Sequence, residues 1–236
     1  MTDARTVHHV APDRAGAFAT PAEAVAKAVS GDVIHIHPGK YTGSFSIDKD
    51  LEIAGIGSHE DIVLTTDRDS VILCAATTVV LKNLSLVGKV RTQPVLHITS
   101  GNCDVTFCSI EGGKYGIAAD SSSRITVANS SIADCERGAL FAKEARIVHL
   151  DNSLIERIGG SGVITEGCQE VRVLHSTFSD TTPHAIESTG NGIFEVVDTE
   201  FTAVSHAQIL DNYKPIKFEN EERSWYARKL VGDSDA

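Results

Sequence analysis

The sequence has little of what binds polyanions, membranes or structural metals. Its 21 Lys and Arg are outnumbered by 32 Asp and Glu, a formal charge of -11 over 236 residues. It therefore lacks the cationic surface that neutralises phosphates, and no direct nucleic-acid binding is expected. No run approaches the roughly 18 apolar residues of a membrane helix, and the opening stretch, Met1 to Gly16, is polar and broken by Pro12. The expectation is a soluble, cytoplasmic chain that is not exported and has no membrane partner. No Cys-x-x-Cys occurs, and the five cysteines, Cys74, Cys103, Cys108, Cys135 and Cys168, are odd in number. That pattern suits reduced thiols used as core filler rather than a disulfide framework or a zinc site, and neither metal nor other cofactor is expected. No glycine-rich loop stands between a strand and a helix, so nucleotide binding has no motif behind it. Aromatic residues are only 6%, yet 42% apolar against 22% charged is enough for one sizeable core and excludes wholesale disorder.

What the chain does contain is a repeat. Leu86, Ile110, Ile132, Ile155, Phe178 and Phe201 follow one another at separations of 24, 22, 23, 23 and 23, each with an apolar residue five positions earlier. A second column, Ile117, Leu140, Val163, Ile186 and Ile209, recurs every 23 residues, and Val95 fits one turn earlier with a one-residue slip. Within each unit, short β-branched runs such as Arg124 to Val127 and Gly162 to Thr165 are separated by Asn, Asp, Ser and Gly, with no helical period between them. A unit of this length with several strands and no helix is neither a leucine-rich nor a helical solenoid, and a propeller blade is about twice as long. One coil of a parallel β-helix fits, so equivalent residues stack into ladders.

The ladders read directly. Asn83, Phe107, Asn129, Asn152, His175 and Asp198 form a column of turn residues. Three further columns alternate in charge: Asp134, Arg157, Asp180; His149, Arg172, Glu195; and Asp120, Lys143, Glu166. Gly112-Gly113 and Gly159-Gly160 read as turn glycines with positive φ. Ahead of the repeats, Thr20-Pro21-Ala22-Glu23 is a capping box with proline at the first helical position, which predicts a helix over 21–29 with Ala22, Val25, Ala28 and Val29 turned onto the first coil. The predicted organisation is an N-terminal arm (1–17), a single all-β domain (18–213) of about eight coils with that helix as its cap, and a polar tail (214–236).

Ala22 to Gly57 also resembles the opening of pectin methylesterases and related pectate-lyase-like right-handed parallel β-helix proteins. The features that carry the resemblance are the Ala-rich cap helix, Gly31-Asp32-Val33-Ile34, Pro38-Gly39-x-Tyr41 and Leu51-x-Ile53-x-Gly55. The resemblance implies the fold and leaves activity open, because the same opening fronts esterases, lyases, epimerases and binding proteins. Strings resembling the esterases' Gln-Asp-Thr-Leu and Asp-Phe-Ile-Phe-Gly are absent, so methylesterase chemistry is not implied.

Function is sought on the outward positions flanking the second apolar column. One flank reads Gly116, Ala139, Gly162, Ala185, Gln208 and the other Ala118, Phe141, Ile164, Glu187, Leu210. The latter face is mostly apolar, with a single acid, and predicts a docking surface for a protein partner or a second copy of the chain. Equally, a C-terminal tail carrying Trp225, Tyr226 and Leu230 in an amphipathic turn is able to cover it. The alternative is an enzyme on acidic carbohydrate, a lyase or uronate epimerase. There His184 would act as base near Asp180, with Arg157 or Arg172 balancing the developing charge; the Pro183-His184 pair faintly resembles the epimerases' Asp-Pro-His motif, but Thr182 stands in place of the Asp. A third reading, an acidic rod mimicking nucleic acid, rests on charge alone. His35 and His37 have a spacing that suits a metal, but no third ligand is evident nearby and both are expected to point outward.

Overall fold

A computed structural model describes residues 5–212, together with the backbone of the strands Lys214–Ile216 and Tyr226–Lys229. The chain winds as a parallel β-solenoid of about nine turns. Each turn contributes one strand to each of three sheets, in the order A, B, C. Among the described residues sheet A has ten strands, sheet B eight and sheet C nine. One circuit is Asn102–Thr106 in A, Ser109–Gly112 in B and Tyr115–Ala119 in C.

The predicted columns are the observed registers. Ile110 pairs with Ile132, Ile132 with Ile155, Ile155 with Phe178 and Phe178 with Phe201. In sheet C, Leu140 lies over Val163 and Val163 over Ile186. The side chains of these columns fill the interior: Leu86, Ile110, Ile132, Ile155 and Phe178 are fully buried. Alternation along each strand then sets the opposite face outward, as in Arg172 between buried Val171 and Val173. The one-residue slip resolves in favour of Leu96, which pairs with Ile117 while Val95 is buried at the preceding corner.

The turn column is a column of left-handed residues. Asn83, Phe107, Asn129, Asn152, His175 and Asp198 have φ of 55, 55, 50, 44, 47 and 46°, so each turns the chain from sheet A into sheet B. Asp134, Arg157 and Asp180 are left-handed as well, with φ of 57, 54 and 52°, near the end of successive sheet B strands on the way to sheet C. Of the glycine pairs, Gly112 and Gly113 have the expected positive φ. Gly159 and Gly160 do not: they are required by close stacking, because a Cβ on Gly160 would fall inside the Arg137 carbonyl of the coil below.

The cap helix runs Pro21–Lys27, with the reciprocal Thr20 and Glu23 capping bonds present. It buries Ala24, Val25 and Ala28, whereas Ala22 is exposed and Val29 is 65% exposed. The expected face is off: Pro21, Ala24, Val25 and Ala28 are the buried set, spaced i, i+3, i+4 and i+7, which leaves Ala22 on the outer face. The helix stops at Lys27 with Ala28 already extended, which carries Val29 out of the helical period. Residues Val7–Val10, within the expected arm, form the first rung of sheet A by pairing with Val33–Ile36.

That rung is pinned by Asp32, 5% exposed, which accepts hydrogen bonds from Val29 N–H at 2.9 Å and Thr6 N–H at 3.2 Å and pairs with His8 Nε2 at 2.8 Å. The Val29 N–H, then the His8 ring, hold its carboxyl below the ordinary value of 3.8. A depressed folded value means that the stabilisation is complete above the ordinary carboxylate value and is lost as pH falls through the folded one. Amide exchange followed from about pH 5 down to about pH 2 should therefore show Val7–Val10 loosening only in acid. In Asp32→Asn the same strand should exchange faster at neutral pH and lose that acid step.

Candidate functional site

Ala118, Phe141, Ile164, Glu187 and Leu210 form one unbroken outward column of sheet C, each in register with the next. Strand alternation puts them outside because Ile117, Leu140, Val163, Ile186 and Ile209 take the inside. Phe141, Ile164, Glu187 and Leu210 are half-buried, while Ala118, between His97 and Phe141 in register, is 7% exposed. Tyr115 widens the apolar area by stacking on Phe141, with ring centroids 5.0 Å apart and planes at 19°. Lys114 holds its ammonium 5.2 Å from the Tyr115 ring centre. Burial raises the Tyr115 hydroxyl above its ordinary value. Glu187 accepts a hydrogen bond from Ser161 at 3.1 Å, and the Lys143–Glu166 pair at 3.8 Å borders the strip.

The other flank does not face outward. Gly116 and Ala139 are buried within their strands, where the register passes from Tyr115 opposite Gly138 to Ile117 opposite Leu140, Gly162 and Ala185 are buried just ahead of theirs, and Gln208 is half-buried. A Cβ on Gly162 would come within 2.8 Å of the Phe178 ring. Trp225 and Leu230, invoked as a cover for the strip, lie outside the described residues. The backbone of 226–229 pairs antiparallel with Phe194–Val197 at the end of sheet A.

Of the candidate catalytic residues, Arg157 and Asp180 stand at equivalent positions of adjacent sheet B strands, His184 lies on the turn that follows Asp180, and Arg172 is in sheet A. His184 precedes the sheet C strand Ile186–Thr189, with Nδ1 2.7 Å from the Ala207 carbonyl and its ring edge-on to His206 at 5.9 Å. Asp180 is the next-to-last residue of the sheet B strand Thr177–Thr181 of the same coil. Arg157, one coil earlier, turns away from Asp180 to donate to Asp134 at 2.9 and 3.1 Å, and it also pairs with Glu156. The guanidinium holds the Asp134 carboxyl below the ordinary range. Arg172 belongs to sheet A, between His149 and Glu195 in register, with Nε 3.0 Å from Glu170 and 3.3 Å from Glu195.

Two arrangements were not legible in sequence. The first rung of sheet A brings His9 to the outward histidines: its Nδ1 lies 3.1 Å from His37 Nε2 and its ring 5.5 Å from that of His35. Arg14 reaches the same His37 nitrogen at 3.2 Å. Burial, followed by Arg14 and the two neighbouring rings, lowers the His9 pKa. Among the described residues no group of three metal-binding side chains has the geometry to hold an ion. The second is a groove of about 470 Å³ at the corner between sheets A and B, lined by His59, Phe107, Asn129, Ser131, Leu154, His175 and their neighbours. Its floor is a ladder of hydroxyls: Ser130, Ser153 and Ser176 each donate to the carbonyl two residues back, at 2.7 to 2.8 Å. Each also accepts from a backbone N–H one coil earlier, at 3.1 to 3.2 Å.

The five cysteines are buried and unpaired. Burial pushes the Cys108 thiol up to about 11 and the Cys135 thiol up to about 12, which removes nucleophilic character at neutral pH.

Residues 73–222, which carry the whole strip and the A/B groove except His59, match the family described as a right handed beta helix region. The chain belongs to that family. This right-handed β-helix is similar in fold to pectate lyase Pel9A, with a TM-score of 0.58 and 11% identity over 90% of this chain and 82% of that one. It is also similar to Escherichia coli YbhC, with a TM-score of 0.55 and 11% identity over 93% and 68%. These likenesses confirm the pectate-lyase-like architecture, and at such identity they concern the fold alone. Two sequence relatives come from Xenopus laevis. SHC SH2 domain-binding protein 1 homolog A is 25% identical over 116 residues, which is 48% of this chain and 17% of that protein. Homolog B is 29% identical over 101 residues, 41% of this chain and 14% of that protein. The match thus covers less than a fifth of either relative's length.

Proposed function

We propose that this β-helix is a non-catalytic module that docks a protein, a partner or a second copy, through the sheet C strip. The observation that carries the reading is the stack of Tyr115 on Phe141, continued by Ile164 and Leu210, with Glu187 the single acid in the column. An aromatic anchor with aliphatic neighbours and a charged border is how protein interfaces concentrate their binding energy. The partial likeness to proteins named for binding an SH2 domain points the same way. An enzyme on acidic sugars needs its base and its cations to converge, whereas Arg172 lies in sheet A, on a different strand set from His184 at the entry to sheet C, and Arg157 is committed to Asp134.

Phe141→Glu tests the reading, because the side chain is half-buried on the outer face and a charge there leaves the core intact. The expected result is an unchanged circular dichroism spectrum together with loss of self-association, or of retained partner, by at least about tenfold in affinity. A variant that folds and keeps both its solution mass and its partners would end the proposal.

A further inference from the structure

The groove at the A/B corner is built around an anomaly. Five of the six residues in its left-handed column are Asn, His or Asp. Short polar side chains tolerate this conformation because they bond to nearby backbone. Phe107 has no such means, yet it sits at φ 55° and is 58% exposed. A bulky residue held there gains little from burial and strains the backbone, a combination that marks functional positions.

Phe107 also interrupts the amide ladder. Asn152 donates its Nδ2 to Asn129 Oδ1 at 2.6 Å, and Asn83 donates to the carbonyls of Gly55 and Gly57 at 2.9 and 2.6 Å. In the same sense, Asn129 would donate to the side chain at position 107, but a phenyl ring has no oxygen or nitrogen to accept it. Among the described residues no acceptor meets that amide. The groove therefore offers an exposed ring face, an open amide donor, the Ser131 and Thr177 hydroxyls and the imidazole of His59, with no Lys, Arg, Asp or Glu in its lining; His175, also in the lining, is paired with Asp151 at 2.8 Å, which raises its pKa. Its volume of about 470 Å³ lies in the range of small-molecule sites.

We propose that this groove binds a neutral saccharide, one ring lying against Phe107 with its hydroxyls toward Asn129 and Ser131. The lining has no Lys or Arg, and the imidazole drawn toward its protonated form, His175, is already paired with the Asp151 carboxylate, so a phosphate or uronate finds no free cation there. The backbone of the walls is already paired from coil to coil, and the serine hydroxyls take up N–H groups of the floor. An extended peptide thus finds no open strand edge to join, and recognition falls to the ring, the amide and the hydroxyls. The site is on a different corner from the sheet C strip, so it stands or falls independently of protein docking.

The test is calorimetric titration of the full chain with cello-, xylo-, manno- and chito-oligosaccharides, with an oligogalacturonate and an extended neutral peptide as comparisons. Wild type should bind at least one neutral oligosaccharide. Phe107→Asn, which restores the ladder residue, should weaken that binding tenfold or more while its melting temperature holds or rises, and Phe107→Tyr should retain binding. Absence of binding to every neutral saccharide, preference for the uronate or the peptide, or full affinity in Phe107→Asn would overturn the proposal.

Discussion

Truncating Phe178 to alanine should destabilise the solenoid by about 3–5 kcal/mol, the usual cost of removing a fully buried phenyl group. The ring is 0% exposed, lies between Ile155 and Phe201 in the sheet B ladder, and meets the Phe201 ring at 5.6 Å. It is larger than the isoleucines below it, and Gly162 leaves the space it fills. The surroundings are a strand stack whose spacing is fixed by backbone hydrogen bonds, so they have little freedom to collapse into the void. Because each coil touches only its neighbours, the loss should be local. Hydrogen exchange should show Leu154–Val204 opening well before the N-terminal coils, and the melting temperature should fall by about 10 °C. Uniform protection loss along the chain would contradict coil-by-coil stacking.

Gly101→Ala should be similarly damaging for the opposite reason, an added atom rather than a missing one. Gly101 turns the chain from sheet C into sheet A at φ 77°, a conformation that costs a residue with a side chain about 1–2 kcal/mol. A Cβ there would also overlap the Ala76 carbonyl one coil below and approach the Thr77 oxygen to 2.9 Å. Both obstacles are backbone and cannot rotate away, which adds about 1–3 kcal/mol of overpacking. The expected loss is thus about 2–5 kcal/mol, measurable as a lowered denaturation midpoint. Gly101→Asn should lose less, since Asn tolerates the left-handed φ but retains the clash. Equal losses in the two variants would show that the carbonyl contact alone governs the site.

These expectations lean on registers that the sequence already displayed. The interior columns were legible because an apolar residue every 23 positions has only one use in a stack, and no insertion disturbs the count between Ile117 and Ile209. Polar turn residues were legible as a column for the same reason. The corners were not. Val95 and Leu96 are both apolar and both buried, so hydrophobicity alone does not choose between them. Gly116, Ala139, Gly162 and Ala185 lie next to core residues, and strict alternation placed them outside, but the pairing skips Gly116 and Ala139 and the strands begin only after Gly162 and Ala185, so regular alternation does not reach them. His9 was missed because it meets His37 through the pairing of Val7–Val10 with Val33–Ile36, and a single rung has no second copy to reveal its register. Phe107 was visible as a member of the turn column. Its exposure, its strained φ and the open amide beside it needed coordinates, because in one dimension a phenylalanine in a repeat reads as one more apolar residue.

The strands Tyr226–Lys229 and Lys214–Ile216 run against the last parallel strands of sheets A and C. A parallel neighbour presents evenly spaced, slanted donors and acceptors, whereas an antiparallel one alternates narrow and wide pairs. A second molecule arriving head to tail with the winding sense of this one would find those two rims out of phase with its own. The reversal therefore works as a chain terminator, holding a chemically repetitive stack to a finite length where a uniform end would seed fibre growth.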